Sequence, residues 1–233
     1  MLKYFRKYIW EVHSLITYND IKKNPDIKEY ITSADASLAA LGYTEHSFAH
    51  VTKVAEDAAK ILKSLAYPES DIELVRIAGY LHDIGNLVNR SEHSQSGAVL
   101  AFRILDKLGM PARDIATVVS AIGNHDEGTG VAVNPIAAAL ILADKSDVRR
   151  SRVRNNDFST FDIHDRVNYS VTRSLLSIDK AAERITLELE IDPEISSVMD
   201  YFEIFLGRMI MCRKAAESIS LTFSLVINSQ RLL

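Results

Sequence analysis

The fold is decided by the stretch AGYLHDIGN at residues 78–86. This stretch closes a run of apolar residues at three- and four-residue spacing, made up of Ile72, Val75, Ile77, Ala78 and Leu81. That spacing predicts an α-helix, and Gly85 is placed to end it, because glycine suits the left-handed conformation of a helix C-terminus. His82 and Asp83 therefore lie together at a helix end, where the helix dipole favours a bound cation.

Helical periodicity continues on both sides of this stretch. Asn24 is placed to cap a helix that begins at Pro25, and Gly42 is placed to end it, so that a helix is predicted over residues 25–41. Glycine- and proline-containing breaks separate the later segments. Further helices are predicted over residues 46–65, 94–108, 111–123 and 134–148. The first 150 residues are therefore expected to be almost entirely helical.

The pattern changes after residue 150. Apolar and polar residues alternate from Ile185 to Ile191 and again from Leu221, which is the period of half-buried strands. An apolar helix is predicted between them, over residues 193–219. The predicted fold class is mainly α: an N-terminal helical segment (1–30), a helical bundle core (31–150) and a small C-terminal α+β extension of strand-helix-strand form (151–233).

Composition limits the classes of function. The net charge of −4 gives no general attraction to polyanions, so no extended nucleic-acid surface is expected. Cys212 is the only cysteine, which excludes a disulfide framework and a cysteine-rich zinc site and is typical of a reducing compartment. No apolar run reaches the length of a membrane span, and the first ten residues are not followed by a signal-peptide pattern. We expect a cytoplasmic protein without membrane contact.

Two further residues have the chemistry and the setting to join His82 and Asp83. His50 lies on a predicted helix whose opposite face is apolar, and Asp144 directly follows the apolar run at 137–143. A buried carboxylate without a partner costs several kcal/mol, so Asp144 needs a cation, a lysine or solvent. Imidazole and carboxylate groups together suit a divalent metal ion. Two other histidines, His125 and His164, also precede an aspartate, but neither ends an apolar helix.

The ordered set His50, His82, Asp83 and Asp144, with AGYLHDIGN around the doublet and LADKSD at 142–147, resembles the HD superfamily of metal-dependent phosphohydrolases. The resemblance covers about residues 40–150. It implies an HD-type helical bundle for the core at 31–150, in which these four residues are the metal ligands.

The same resemblance implies a second metal ion. Some HD proteins add histidines between the doublet and the final aspartate, and His93 and His125 fall at those places. Such relatives include HD-GYP cyclic-dinucleotide phosphodiesterases and HD-type diadenosine tetraphosphate hydrolases, although the GYP signature is absent here. The expected cofactor is one or two divalent ions, and the ligand set does not distinguish Mn, Fe, Mg, Zn, Co and Ni.

The resemblance further implies a phosphohydrolase that acts on a nucleotide-like phosphoester or phosphoanhydride through a metal-activated water. We expect a small phosphorylated substrate as the partner. His82, Asp83 and Lys145 are the candidate catalytic residues. The candidate phosphate-binding residues are Lys53, Arg149 and Arg150.

Several alternatives stay open at this point. A di-iron HD-type oxygenase would use the same six ligands, and a non-catalytic metal- or nucleotide-binding regulatory module is a third reading. The arginines after residue 148 are also typical of a solvated face. Asp126, Glu127 and Asp147 either tune or replace a ligand or are ordinary acidic surface residues. His46 is either a helix-start residue or a group near the substrate, whereas His13 and His164 are expected to be non-catalytic. The aromatic and methionine-rich stretch at 201–211 indicates a buried helix or a homodimer face.

Overall fold

The structure is a computed structural model that describes residues 16–233. The expectations about the opening of the chain, including the first half of the N-terminal segment, lie outside these residues. The helices are α1 (Tyr18–Lys23), α2 (Pro25–Ala40), α3 (Phe48–Ser64), α4 (Glu69–Leu81), α5 (His93–Lys107), α6 (Ala112–Gly123), α7 (Pro135–Lys145), α8 (Ile163–Ser170) and α9 (Val198–Ser218). The strands are β1 (Val171–Asp179), β2 (Arg184–Ile191), β3 (Thr222–Ile227) and β4 (Gln230–Arg231). This arrangement confirms the mainly α fold class with a small C-terminal α+β part.

Helix α7 lies at the centre of the helical bundle. Every residue from Ile136 to Ala143 is buried, so the helix is apolar on all sides, which is typical of a helix inside a core. It contacts α3, α4, α6 and α9. Asp144 lies in the last turn of α7, so its position is fixed by the four helices that pack around α7.

Helices α3 and α4 pack closely because α4 has a glycine at the contact. A Cβ atom added to Gly79 would lie 2.7 Å from the Cα atom of Ala55 on α3. No side chain could be accommodated there without moving one of the two helices. The contact therefore fixes the distance between the helix that carries His50 and the helix that ends before His82.

The end of α4 differs from the prediction. The helix stops at Leu81, and Gly85 lies in a short 3-10 turn at Ile84–Leu87. Gly85 is needed there for close packing, because a Cβ atom on it would come within 1.9 Å of the carbonyl oxygen of His93. Gly85 thus brings the backbone after the doublet against the start of α5, and it does not act as a helix terminator.

The C-terminal part contains more strands than the sequence predicts. The strand order is β1-β2-β3-β4, with β1–β2 and β3–β4 antiparallel and β2–β3 parallel. Helix α9 makes the crossover between the two parallel strands, as parallel pairing requires. The predicted strands correspond to β2 and β3. β1 and β4 were not predicted, and the apolar pair Leu175–Leu176 interrupts the alternation in β1.

Helix α9 contacts α7, α8 and β3. Tyr201, Phe205, Met209 and Met211 are buried, whereas Leu206 on the other face is exposed. Cys212 is buried in the same helix, in agreement with a packing role. The homodimer stays a prediction. The domain boundaries at residues 30 and 150 also stay predictions. The buried apolar side chains between residues 18 and 227 form one core, which extends across both of these positions. None of the helices in residues 16–233 has the length and hydrophobicity of a transmembrane segment.

Candidate metal centre

The six residues predicted as metal ligands converge in space, although they span nearly a hundred positions in the chain. Each lies at or beside a helix end. His50 is in the first turn of α3, His82 and Asp83 follow α4, His93 begins α5, His125 follows α6, and Asp144 is in the last turn of α7. The close packing of the helices described above therefore assembles the group.

All four histidines are held through the same ring nitrogen. The Nδ1 atoms of His82, His93 and His125 bond to the backbone carbonyl three residues earlier, at 2.7, 3.1 and 2.6 Å. The Nδ1 atom of His50 instead bonds to Oδ2 of Asp147, at 2.8 Å. Because these partners are acceptors, Nδ1 is the donor in each ring. Nε2 is then the nitrogen left to bind a metal, and in all four rings it faces the centre.

The Nε2 atoms form two pairs, with Asp83 between them. The His50 and His82 Nε2 atoms are 3.3 Å apart, and those of His93 and His125 are 3.2 Å apart. Oδ2 of Asp83 lies 3.2 Å from the His82 Nε2 atom, and Oδ1 lies 3.5 Å from the His93 Nε2 atom. Each oxygen of one carboxylate thus faces a different pair of histidines.

Asp144 completes the first of these groups. Its Oδ1 atom lies 3.4 Å from Nε2 of His50 and 3.5 Å from Nε2 of His82. His125 can also be grouped with His82 and Asp144, within 4.8 Å between donor atoms. The six residues therefore offer enough nitrogen and oxygen donors for one ion or for two that share ligands.

The donor set fits a divalent cation. Oδ2 of Asp83 is buried and has no hydrogen-bond partner among the described residues. A buried carboxylate oxygen in that position needs a positive charge to offset its lost hydration. Imidazole nitrogens and carboxylate oxygens suit Mn, Fe, Co, Ni and Zn, and the carboxylates also suit Mg. The residues that would hold the metal are the six predicted ones.

The electrostatics of the group are consistent with this fit. Burial raises the pKa of the Asp144 carboxyl, but the charge of Lys145 and hydrogen bonds to His50 and His82 hold it well below its usual range. Burial, together with the charges of His82 and Lys145, lowers the pKa of His125 to about 3. Asp144 and His125 are therefore in their metal-binding forms at neutral pH. Burial lowers the pKa of His82, but the nearby carboxylates of Asp83 and Asp144 raise it to about 10, so a metal ion would displace a proton from this ring.

The sequence left Asp147 open between an acidic surface residue and a residue that tunes or replaces a ligand, and its side chain is completely buried behind His50. Besides the His50 bond, its Oδ1 atom accepts a hydrogen bond from Nε of Arg149 at 2.6 Å. Arg152, which is also buried, donates to the backbone carbonyl of Asp147 at 2.9 Å. A carboxylate behind a ligating histidine fixes the orientation of the ring and increases its basicity. The spacing of Asp147, three residues after Asp144, is the local signal that could have indicated this role.

A cavity of about 440 Å³ opens onto the metal centre. Asp83, His93, His125 and Asp144 form part of its wall. Lys145, predicted as catalytic, also lines it, and its Nζ atom is 2.7 Å from Oδ2 of Asp144. The remaining cationic side chains of the wall are Arg90, Arg152 and Arg208.

The predicted phosphate-binding residues Lys53, Arg149 and Arg150 do not line this cavity. Lys53 forms an ion pair with Asp57, and Arg149 pairs with Asp147. Arg150 donates to the carbonyl of Tyr169 at 2.6 Å and lies over that ring. Their role in substrate binding stays a prediction, but the structure gives each side chain another partner.

The cavity wall also contains residues that were outside the predicted set or left open in it. His46 lines the wall, and its Nε2 atom is 4.0 Å from Oδ2 of Asp83. His164, expected to be non-catalytic, also lies in the wall. Phe205 and Arg208 come from α9, so the C-terminal part of the chain forms one side of the cavity. No local motif marks His164, Phe205 and Arg208, because they reach the cavity only through the packing of α8 and α9.

The chain is similar to one family model and to two other proteins. The family model of the HD domain matches residues 47–153. The uncharacterized protein MJ1020 of Methanocaldococcus jannaschii is 28% identical over 160 residues, which are 59% of this chain and 61% of that protein. The match thus spans less than two thirds of that relative. A solved structure of a predicted HD superfamily hydrolase from an uncultured Thermotogales bacterium has 23% identity and a TM-score of 0.40, over 55% of this chain and 72% of that one.

Helix ends that bring four histidines and two aspartates together define a helical domain with a candidate divalent-metal centre. The segment matched by the family model begins just before α3 and ends just after Arg152, and it contains all six residues. Residues 47–153 of the chain are accordingly similar to the HD domain.

Proposed function

We propose that this protein is a metal-dependent hydrolase that cleaves a phosphoester or phosphoanhydride bond in a small, nucleotide-like molecule. The observation that carries the proposal is that the group of six metal-binding side chains opens into a cavity with cationic side chains in its wall. A divalent metal bound there would act as a Lewis acid and activate a water molecule for attack on phosphorus.

The residues of the chain have separable tasks in this proposal. Asp83 faces both pairs of histidines, so it is the group that connects the two halves of the centre. Lys145 holds Asp144 in place by an ion pair and presents its charge to the cavity. The Nδ1 anchors of the histidines keep their rings oriented before any ligand binds, which favours a preformed site.

A di-iron oxygenase is the second candidate. The observation in its favour is the division of the donors into two groups that meet at Asp83, which would suit a pair of iron ions equally well. Oxygen consumption by protein loaded with ferrous iron, in the absence of phosphoester hydrolysis, would support this candidate. A non-catalytic regulatory module is less well supported, because none of the six side chains is missing.

The test begins with protein purified without chelator, whose metal content is measured by elemental analysis. The protein is then loaded with Mn, Mg, Co or Fe and screened for hydrolysis of nucleotides and p-nitrophenyl phosphate. His82→Ala and Asp83→Ala should lose more than about 100-fold in kcat/KM, since even residues behind the ligands contribute 10–100-fold. Asp106→Ala, on the exposed face of α5, is the matched control and should retain activity.

Two measurements keep this test decisive. Helical circular dichroism of each variant must match that of the wild type, so that lost activity is not lost folding. If both groups of donors bind an ion, wild type should contain about two metals per chain and His93→Ala about one. Retained turnover in metal-loaded His82→Ala or Asp83→Ala would contradict the proposal.

A further inference from the structure

The cations around the cavity differ in how they are neutralised. Lys145, Arg152 and Arg208 each have a carboxylate within 4.0 Å: these are Asp144 at 2.7 Å, Asp147 at 3.9 Å and Glu127 at 2.6 Å, respectively. Arg90 is the exception among the cavity cations. No carboxylate within residues 16–233 lies within 4.0 Å of its guanidinium, so Arg90 forms no direct ion pair in the part of the chain that the structure describes.

Neutral groups nevertheless hold Arg90 in place. Its Nη1 atom lies 3.4 Å from Oδ1 of Asn86. It also lies 3.5 Å from Nε2 of His93, a contact that a metal ion bound to that nitrogen would replace. Its guanidinium lies over the ring of Tyr43, at 5.7 Å from the centroid. Asn86 is itself bonded to Asp83, with its Nδ2 atom 3.1 Å from Oδ1. Arg90 thus lies beside the candidate metal ligands Asp83 and His93, and its contacts are not ion pairs.

Within residues 16–233, only the Nη1 atom of the Arg90 guanidinium has hydrogen-bond partners. A guanidinium has five N–H donors, and the two contacts of Nη1 are long. Arginine remains charged at any physiological pH. Arg90 is half-buried and charged, and it lies next to the metal centre. A metal cation bound there would repel its guanidinium unless an anion lay close to both the metal and the guanidinium. The missing partner is therefore expected to come from the ligand.

We infer that Arg90 binds an anionic oxygen of the substrate beside the metal centre, and that the ligand group it takes is a phosphoryl group. This inference rests on the proposed function and names its principal recognition residue. The planar fork of arginine matches two oxygens of a phosphoryl group. A phosphoryl group has a third oxygen for the metal centre, whereas a carboxylate bound by the same fork has none.

The test measures binding of inorganic phosphate to the metal-loaded, full-length protein by isothermal titration calorimetry. It therefore does not depend on turnover. Arg90→Ala should weaken phosphate binding about tenfold or more, as expected for loss of a charge-assisted hydrogen bond. Arg90→Lys should give an intermediate loss, because it keeps the charge but not the fork. Arg103→Ala, which removes an exposed arginine from α5, should bind phosphate like the wild type.

Metal content is measured on every sample, and acetate serves as a second probe. Wild-type phosphate affinity in Arg90→Ala, or no phosphate binding by the wild type, would overturn the inference. Loss of metal from both Arg90 variants would also overturn it, because Arg90 would then act on the ligands. An Arg90 effect on acetate but not on phosphate would show a carboxylate site instead.

The two proposals can fail separately. Phosphate binding that depends on Arg90, in a protein that hydrolyses no phosphoester, supports the inference and overturns the proposed function. Normal phosphatase activity together with normal phosphate affinity in Arg90→Ala supports the proposed function and overturns the inference.

Discussion

His50 has a carboxylate on each side of its ring. Asp144 lies at Nε2, at 3.4 Å, whereas Asp147 accepts the hydrogen bond of Nδ1, at 2.8 Å. We predict that Asp147→Asn weakens metal binding by about 10–100-fold, the usual effect of removing a carboxylate behind a ligating histidine. Asp144→Asn should have a larger effect, since it removes a ligand. Competition with a chromophoric chelator measures both affinities.

Asp106→Asn is the control for the charge change, because Asp106 is exposed on α5. Circular dichroism confirms that each variant is folded. If Asp147→Asn binds metal as tightly as the wild type, the buried carboxylate does not support His50. If the two substitutions have equal effects, Asp147 contributes as much as a ligand.

Individual residues could be predicted from the sequence only where a local pattern marked them. His50, His82, Asp83 and Asp144 could be predicted from their positions beside apolar helices, whereas His93 and His125 followed only from the resemblance to HD proteins. The structure brings the donor atoms of all six together. Asp147 has only a weak local signal, its spacing of three residues from Asp144, and its partner His50 is 97 positions away. Arg90 and Arg208 were missed for a related reason: their importance depends on which carboxylates lie nearby, and that is a property of the packed structure.

At the scale of the elements, the contact between α3 and α4 sets the spacing of the ligands. We predict that Gly79→Ala lowers the free energy of unfolding by about 1–3 kcal/mol, the usual effect of overpacking. The new methyl group would meet the backbone of Ala55 at 2.7 Å, and backbone cannot move aside as a side chain can. Metal affinity should fall as well, because α3 carries His50. Urea denaturation of the metal-free protein gives the change in stability.

Gly207→Ala is the matched control, because a Cβ atom on this exposed residue of α9 would have nothing within 4 Å. It should stabilise the protein by about 0.5–1 kcal/mol, as alanine does in helix interiors. If Gly79→Ala and the wild type have the same free energy of unfolding, α3 and α4 can move apart to accept the methyl group without loss of stability.

The helices were predicted well because their periodicity is a local property. Six predicted segments of the first 150 residues correspond to α2 to α7, although some ends differ by a few residues. The end of α4 was wrong because Gly85 serves the packing of α5, a contact between elements. β1 was missed because it lies at the edge of the sheet with much of its surface exposed, and its apolar residues do not alternate strictly.

At the scale of the whole molecule, metal binding and folding should be coupled. The candidate ligands come from the ends of five helices, so the unfolded chain has no preformed site. At a free metal concentration 100 times Kd, binding should stabilise the folded state by about 2.7 kcal/mol. For a chain of this size that corresponds to about 5–10 °C in Tm. Calorimetry of metal-loaded protein with and without chelator measures the difference.

His82→Ala provides the control, because removal of a ligand should abolish most of the chelator effect. An identical Tm for the metal-loaded and chelated wild type would show that the centre does not bind metal in solution.

The sequence predicted a mainly α chain with a C-terminal extension, but it left the role of residues 151–233 open. The structure places Phe205 and Arg208 of this extension in the cavity wall.

The crossover helix α9 has to satisfy two geometric conditions at once. Its ends must join the parallel strands β2 and β3, and its middle must present Phe205 and Arg208 to the cavity. One residue inserted between Val198 and Phe205 would rotate the rest of the helix by about 100°. The strands could still pair, but Arg208 would point elsewhere. We therefore expect relatives to vary in length at the turn of residues 180–183, and to change the length of α9 only by whole helical turns.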